Sequence, residues 1–154
     1  MIKDKIFVGS IAGMIGTLFK DFPNFIFYRT GVVKYLYANL AASAHLFPAQ
    51  VETPLGYAIG IAADISTGGA IGVVTLLFLE RFGVDLWWFK GFMIGNGLWL
   101  FGLGVILNLG SVHLIPNDPT FRLLSLLDHW CFGLATVYLI KKWTRSGKQE
   151  GKWR

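Results

Sequence analysis

Five residues able to carry or exchange charge, Lys20, Asp21, Asp64, Asp128 and His129, lie inside stretches that are otherwise apolar. Asp64 sits within "IGIAADISTGG", and Asp128 and His129 within "LLSLLDHWCFGLATVYLIKKW". A charged side chain at the centre of a membrane helix costs about 2.5–3.5 kcal/mol to insert. Such residues therefore tend to face the bundle interior and find partners there. The chemistry open to them is proton exchange, cation binding or polar contact between helices.

Catalytic chemistry is poorly served by the same residues. Asp128 and His129 are adjacent and point to different helix faces, so they do not form the orienting pair of a triad. Ser125 lies four residues before His129, on its face, and is within reach of a hydrogen bond to it. His45 and His113 fall in outer connections, which leaves no pair of histidines on facing spans for a haem. The single Cys131 reads as packing, no zinc-like Cys/His spacing occurs, and no glycine loop precedes a phosphate-binding lysine. The expectation is no enzyme, no metal and no cofactor.

The elements that must position these residues follow from composition. Hydrophobic residues make up 54% of the chain and charged ones only 15%, against about a quarter charged in soluble domains. Four apolar stretches, Lys5 to Tyr28, Pro54 to Leu79, Leu86 to Leu109 and Phe121 to Ile140, are each long enough to cross roughly 30 Å of hydrocarbon. Pro54 and the Asn117-Asp118-Pro119 segment suit helix starts. Between the first two spans, Val32, Tyr35, Leu36, Leu40 and Phe47 recur at helical spacing between Gly31 and Pro48, which predicts an interfacial or re-entrant helix. A further span over residues 25–47 is opposed by Arg29 and Lys34. The fold class is thus an all-α polytopic membrane protein, a four-transmembrane-helix bundle with an interfacial helix between spans one and two. Residues 1–143 form the transmembrane domain and 144–154 a basic cytoplasmic tail.

Six of the fourteen lysines and arginines fall in the last fourteen residues, so the net charge of +5 reads as a topology signal and not as a nucleic-acid surface. With both termini cytoplasmic, ten positive residues face inward against Arg29, Lys34 and Arg122 outward. N-in and C-in is the expected orientation, with Trp87, Trp88, Trp143, Tyr28 and Tyr138 as interfacial anchors.

In that orientation the polar residues converge by depth. At 1.5 Å per residue, Lys20 lies roughly 13 Å below the outer surface, Asp64 about 15 Å, and Asp128 and His129 about 11–12 Å. Asn96 on the third span arrives near the midplane. The expected layer of Lys20, Asp21, Asn24, Asp64, Asn96, Asp128 and His129 holds one firm cation against three potential anions. A proton, a charged His129, a small cation or water then completes it. Lys20 and Asp21 diverge by about 100 degrees on a helix, so Lys20 is expected to reach Asp64 or Asp128 instead. Two plainer readings compete: such residues serve as polar glue between helices, and Lys20 and Asp21 snorkel to the outer interface.

Small residues repeat at four-residue spacing: Gly9 and Gly13, Gly68 and Gly72, Gly91 and Gly95, with Gly56 and Gly60 in addition. Such faces allow helices to approach closely in lipid. They predict packing inside one chain or docking onto a second copy or another membrane protein. An accessory or assembly subunit is the alternative function this suggests, beside the bilayer itself as partner.

Three stretches, "GSIAGMIGTLFK", "LERFGVDLWWFKGFMIGNGLWLF" and "LLDHWCFGLATVYLIKKW", together resemble the YagU-like family of bacterial inner-membrane proteins. The resemblance implies a multi-pass protein of the cytoplasmic membrane, no catalytic residues, and an association with tolerance of acid stress. The first outer loop is shorter here than in that family.

Overall fold

The computed structural model describes residues 4–105, 114, 116 and 118–149. Among them every regular element is helical: α1 (Lys5–Arg29), α2 (Tyr37–Ser43), α3 (Pro48–Val51), α4 (Pro54–Phe82), α5 (Trp87–Leu98), which continues as a π-helical turn over Trp99–Leu103, and α6 (Pro119–Gln149). Three stretches, Lys5–Arg29, Pro54–Phe82 and Pro119–Thr144, are long and apolar enough to cross a membrane. Their outward faces carry exposed Leu18, Phe22, Ile61, Val74 and Leu123, as lipid contact requires.

Local chemistry sets the helix starts. Asp4 Oδ1 accepts from the amides of Ile6 at 2.8 Å and Phe7 at 3.2 Å, and opens α1. Thr53 Oγ1 accepts from Gly56 N ahead of Pro54, and Asp118 Oδ2 from Phe121 N ahead of Pro119. Each cap satisfies an amide that has no partner in the helix, which is why the proline and Asx signals were legible. Pro23 lies inside α1 without ending it. At the other end of α4, Lys90 Nζ donates to the carbonyls of Phe82 and Gly83, both at 2.8 Å, where free carbonyls and the helix dipole favour a cation.

Two differences from the expected elements matter. The segment after α1 forms two short helices in place of one, and Pro48 starts the second instead of ending the first. Residues 25–47 are no single span. Instead α2 turns back against α4 and buries Tyr37, Asn39 and Leu40. The stretch from Leu86 is an α-helix only to Leu98, and its expected end at Leu109 lies outside the described residues.

The tight pairs are α1 with α4, α1 with α6, α5 with α6, and α2 with α4, whereas α4 and α5 barely touch. Glycine decides this order. A Cβ on Gly13 would fall on the Gly68 carbonyl oxygen, and one on Gly72 on the Gly9 carbonyl oxygen. On the other side, a Cβ on Gly95 would strike the His129 carbonyl and one on Gly133 the Gly91 carbonyl. Gly56 meets α3 and Gly60 the Ala38 backbone of α2. The Gly9, Gly13, Gly68 and Gly72 face and the Gly91 and Gly95 face are therefore seams within one chain, not surfaces left for a partner. Ala12, Leu76, Leu79, Val137 and Ile140 form one apolar cluster, and Val33, Tyr37, Leu40, Leu103 and Phe121 a second.

Alanine at Gly13 or at Gly72 is expected to destabilise the detergent-solubilised protein by about 1–3 kcal/mol, the usual cost of overpacking. Gly97→Ala, whose Cβ meets open space, is expected to change stability by less than about 1 kcal/mol. Equal thermal stability of all three variants would refute the seam.

Candidate functional site

Between the two apolar clusters the four elements α1, α2, α4 and α6 bring charge together. Lys20, on α1, is only 6% exposed. Its Nζ donates to Asp64 Oδ2 on α4 at 2.8 Å and to Asp21 Oδ1 at 2.7 Å, and stands 3.7 Å from the centroid of the Tyr37 ring on α2. The ammonium thus has two anions and an aromatic face around it. All three contacts replace water that the interior lacks.

The pairing of Lys20 with Asp21 corrects the expectation that neighbours on a helix stay apart. The 100-degree offset separates their Cβ atoms, but the lysine stem is long enough to swing its nitrogen back over the Asp21 carboxylate. Burial of Lys20 also rules out snorkelling to the outer interface. Asp21 remains partly exposed, with 37% of its side-chain surface accessible, against 17% for Asp64.

Tyr37 links this triad to α6. Its hydroxyl donates to Asp128 Oδ2 at 2.9 Å, and its ring meets His129 edge-on with centroids 5.7 Å apart. Its backbone amide donates to Asn24 Oδ1 at 3.2 Å, which places the first turn of α2 beside α1. Asp128 is 1% exposed, and its Oδ1 has no hydrogen-bond partner. A buried carboxylate oxygen left in that condition is costly. His129 Nδ1 lies 2.6 Å from the Ser125 carbonyl oxygen, to which it donates.

Several expected members fall elsewhere. Asn96 is not in the layer: its Oδ1 accepts from Trp130 Nε1 at 2.7 Å in the α5–α6 seam. The Ser125 hydroxyl does not meet His129 either. It donates to the Arg122 carbonyl at 2.8 Å and accepts from Trp99 Nε1 at 3.1 Å. No nucleophile and base are joined there. Cys131 is exposed on α6 rather than packed.

Tyr37 is the residue that sequence reasoning missed. It lies one position past the Tyr35 and Leu36 pair assigned to the apolar face. The available signal was a phenol, a large apolar ring with one polar handle that usually finds a hydrogen-bond partner when buried.

Tyr37→Phe is expected to lower stability by about 1–3 kcal/mol, because Asp128 then loses its one donor. In a double-mutant cycle with Asp128→Ala the two losses should not add. Strict additivity would show that the bond contributes nothing.

No protein-family model, curated protein or solved structure matches the chain, so the layer of Lys20, Asp21, Tyr37, Asp64, Asp128 and His129 is what any functional reading has to stand on.

Proposed function

We infer that the chain is a non-enzymatic multi-pass protein of the bacterial cytoplasmic membrane, with both termini inside, whose interior charged layer binds protons or a small cation. In this reading α5 and its π-helical continuation supply the fourth span, and the α2–α3 segment dips from the outer interface into the bundle. The positive-inside bias supports the orientation. The acid-stress association implied by the family resemblance agrees with the chemistry.

One observation carries the reading: a single lysine shares a connected layer with three aspartates. With Asp21, Asp64 and Asp128 all ionised, the layer would hold two negative charges in excess of Lys20 where the dielectric is low. The groups facing Asp64 and Asp128 are Lys20 and Asp21 from α1, Tyr37 from α2 and His129 from α6, and among them only Lys20 is a permanent cation. Positive charge entering the layer relieves the excess, and several kcal/mol per uncompensated ion is available to drive it. Among the described residues no three His, Cys, Asp or Glu side chains converge as ligands to one ion. A proton, which needs one oxygen, suits the site better than a multiply coordinated metal.

The protein in lipid nanodiscs is expected to show a carboxyl infrared band that responds to pH. Asp64→Asn and Asp128→Asn, which each take a carboxylate out of the layer, should each change that response while the helical content is kept. An unchanged titration in both folded variants would sink the proposal.

A further inference from the structure

Because α4 and α5 barely touch, a groove separates them. Its upper part is a cavity of 510 Å³, whose polar end is formed by Lys20, Tyr37, Asp64 and His129. A second cavity of 350 Å³ shares Ile71, Leu98 and Phe101 with the first and continues along Val74, Phe78 and Ile94. From Asp64 to Phe78 the groove follows about 21 Å of α4 axis. It is charged at one end and apolar along the rest. The exposure of Val74, Phe78 and Phe101 makes it reachable from the lipid side.

Two features hold this space open. Gly97 and Gly102 both line it, and a Cβ on either would meet nothing within 4 Å. This sets them apart from the seam glycines, which touch backbone. The π-helical turn Trp99–Leu103 forms part of the wall, a distortion common at functional sites. It is pinned outward to α6 by Trp99 Nε1 on the Arg122 carbonyl at 2.9 Å and by the Arg122 guanidinium on the Leu103 carbonyl at 2.7 Å.

We propose that this groove binds a single-chain cationic amphiphile, its alkyl chain along α4 and its ammonium head against the Asp64 end of the charged layer. The inference rests on the preceding reading of that layer as an anionic site. Charge complementarity selects the occupant: at the polar end of the cavity Lys20 is already held by Asp64 and Asp21, and with Asp21, Asp64 and Asp128 ionised the layer behind it carries an excess of negative charge that opposes a phosphate or sulfate head. The cavity size falls in the about 300–1,000 Å³ range of ligand pockets. An amphiphile delivered from the bilayer would also compete with protons for the same excess charge.

The test uses the full chain in zwitterionic nanodiscs with three radiolabelled probes of one chain length: dodecyltrimethylammonium, dodecyl sulfate and dodecyl maltoside. Partition into empty nanodiscs is subtracted. Saturable binding of the cation alone is expected, weakened at least about tenfold by Asp64→Asn. Gly102→Leu, at a position where an added Cβ meets nothing within 4 Å, should abolish it and leave the carboxyl titration intact. Gly97→Leu, lower in the groove, should weaken it and stands in if the first variant does not fold. Equal binding of all three heads, or cation binding indifferent to both glycine substitutions, overturns the proposal. Absence of saturable binding beside a normal carboxyl titration overturns this inference alone, whereas absence of the titration in the unaltered protein removes the reading beneath it.

Discussion

A lysine ammonium buried among membrane-length helices is the constraint around which the other polar contacts are arranged. Lys20 cannot stay charged in a low-dielectric medium without neighbours to replace its hydration. Its own helix offers Asp21, α4 offers Asp64, and α2 offers the face of Tyr37. Through the hydroxyl of Tyr37 the same arrangement reaches Asp128 on α6. Four separate elements are therefore held in register by contacts whose loss would strand charge in oil. The short α2 is held against the longer helices by these contacts together with the apolar packing of Tyr37 and Leu40.

Polar contacts alone do not bring helices close enough for side chains as short as aspartate to meet. Glycine supplies the approach. The α1–α4 seam allows backbone contact at Gly13 and Gly72, which puts Lys20 and Asp64 within hydrogen-bonding distance about two turns away. The α5–α6 seam does the same around Gly95 and Gly133 and leaves Asn96 to pair with Trp130. With α1 and α6 packed together at the centre, α4 and α5 are held apart. Close packing in one place thus produces open space in another, and that space lies beside the charged layer.

Much of the scaffold was legible because it depends on local rules. Long apolar runs, the helix starts at Pro54 and Asn117-Asp118-Pro119, and small residues at four-residue spacing each act over a few neighbouring positions. That Lys20, Asp64 and Asp128 lie at a common level followed from counting residues along their helices. The failures share a cause as well. Asn96 sits at a suitable depth but on the α5 face turned toward Trp130. Depth along a helix is a sequence property, and rotation about its axis depends on what packs against it.

The sequence by itself determined an all-helical chain with membrane-length apolar helices, where they start, and which of them carry charge at a common level. Only the tertiary structure decided that Lys20 bends back to Asp21, that Tyr37 joins α1 to α6, and that the glycine faces close within one chain. The physical reason is range: caps and hydropathy act between residues a turn apart, whereas Lys20 and Asp64 are 44 positions apart and Tyr37 and Asp128 are 91 apart. Contacts of that kind exist only once backbone seams far from the charges have set how the helices lie.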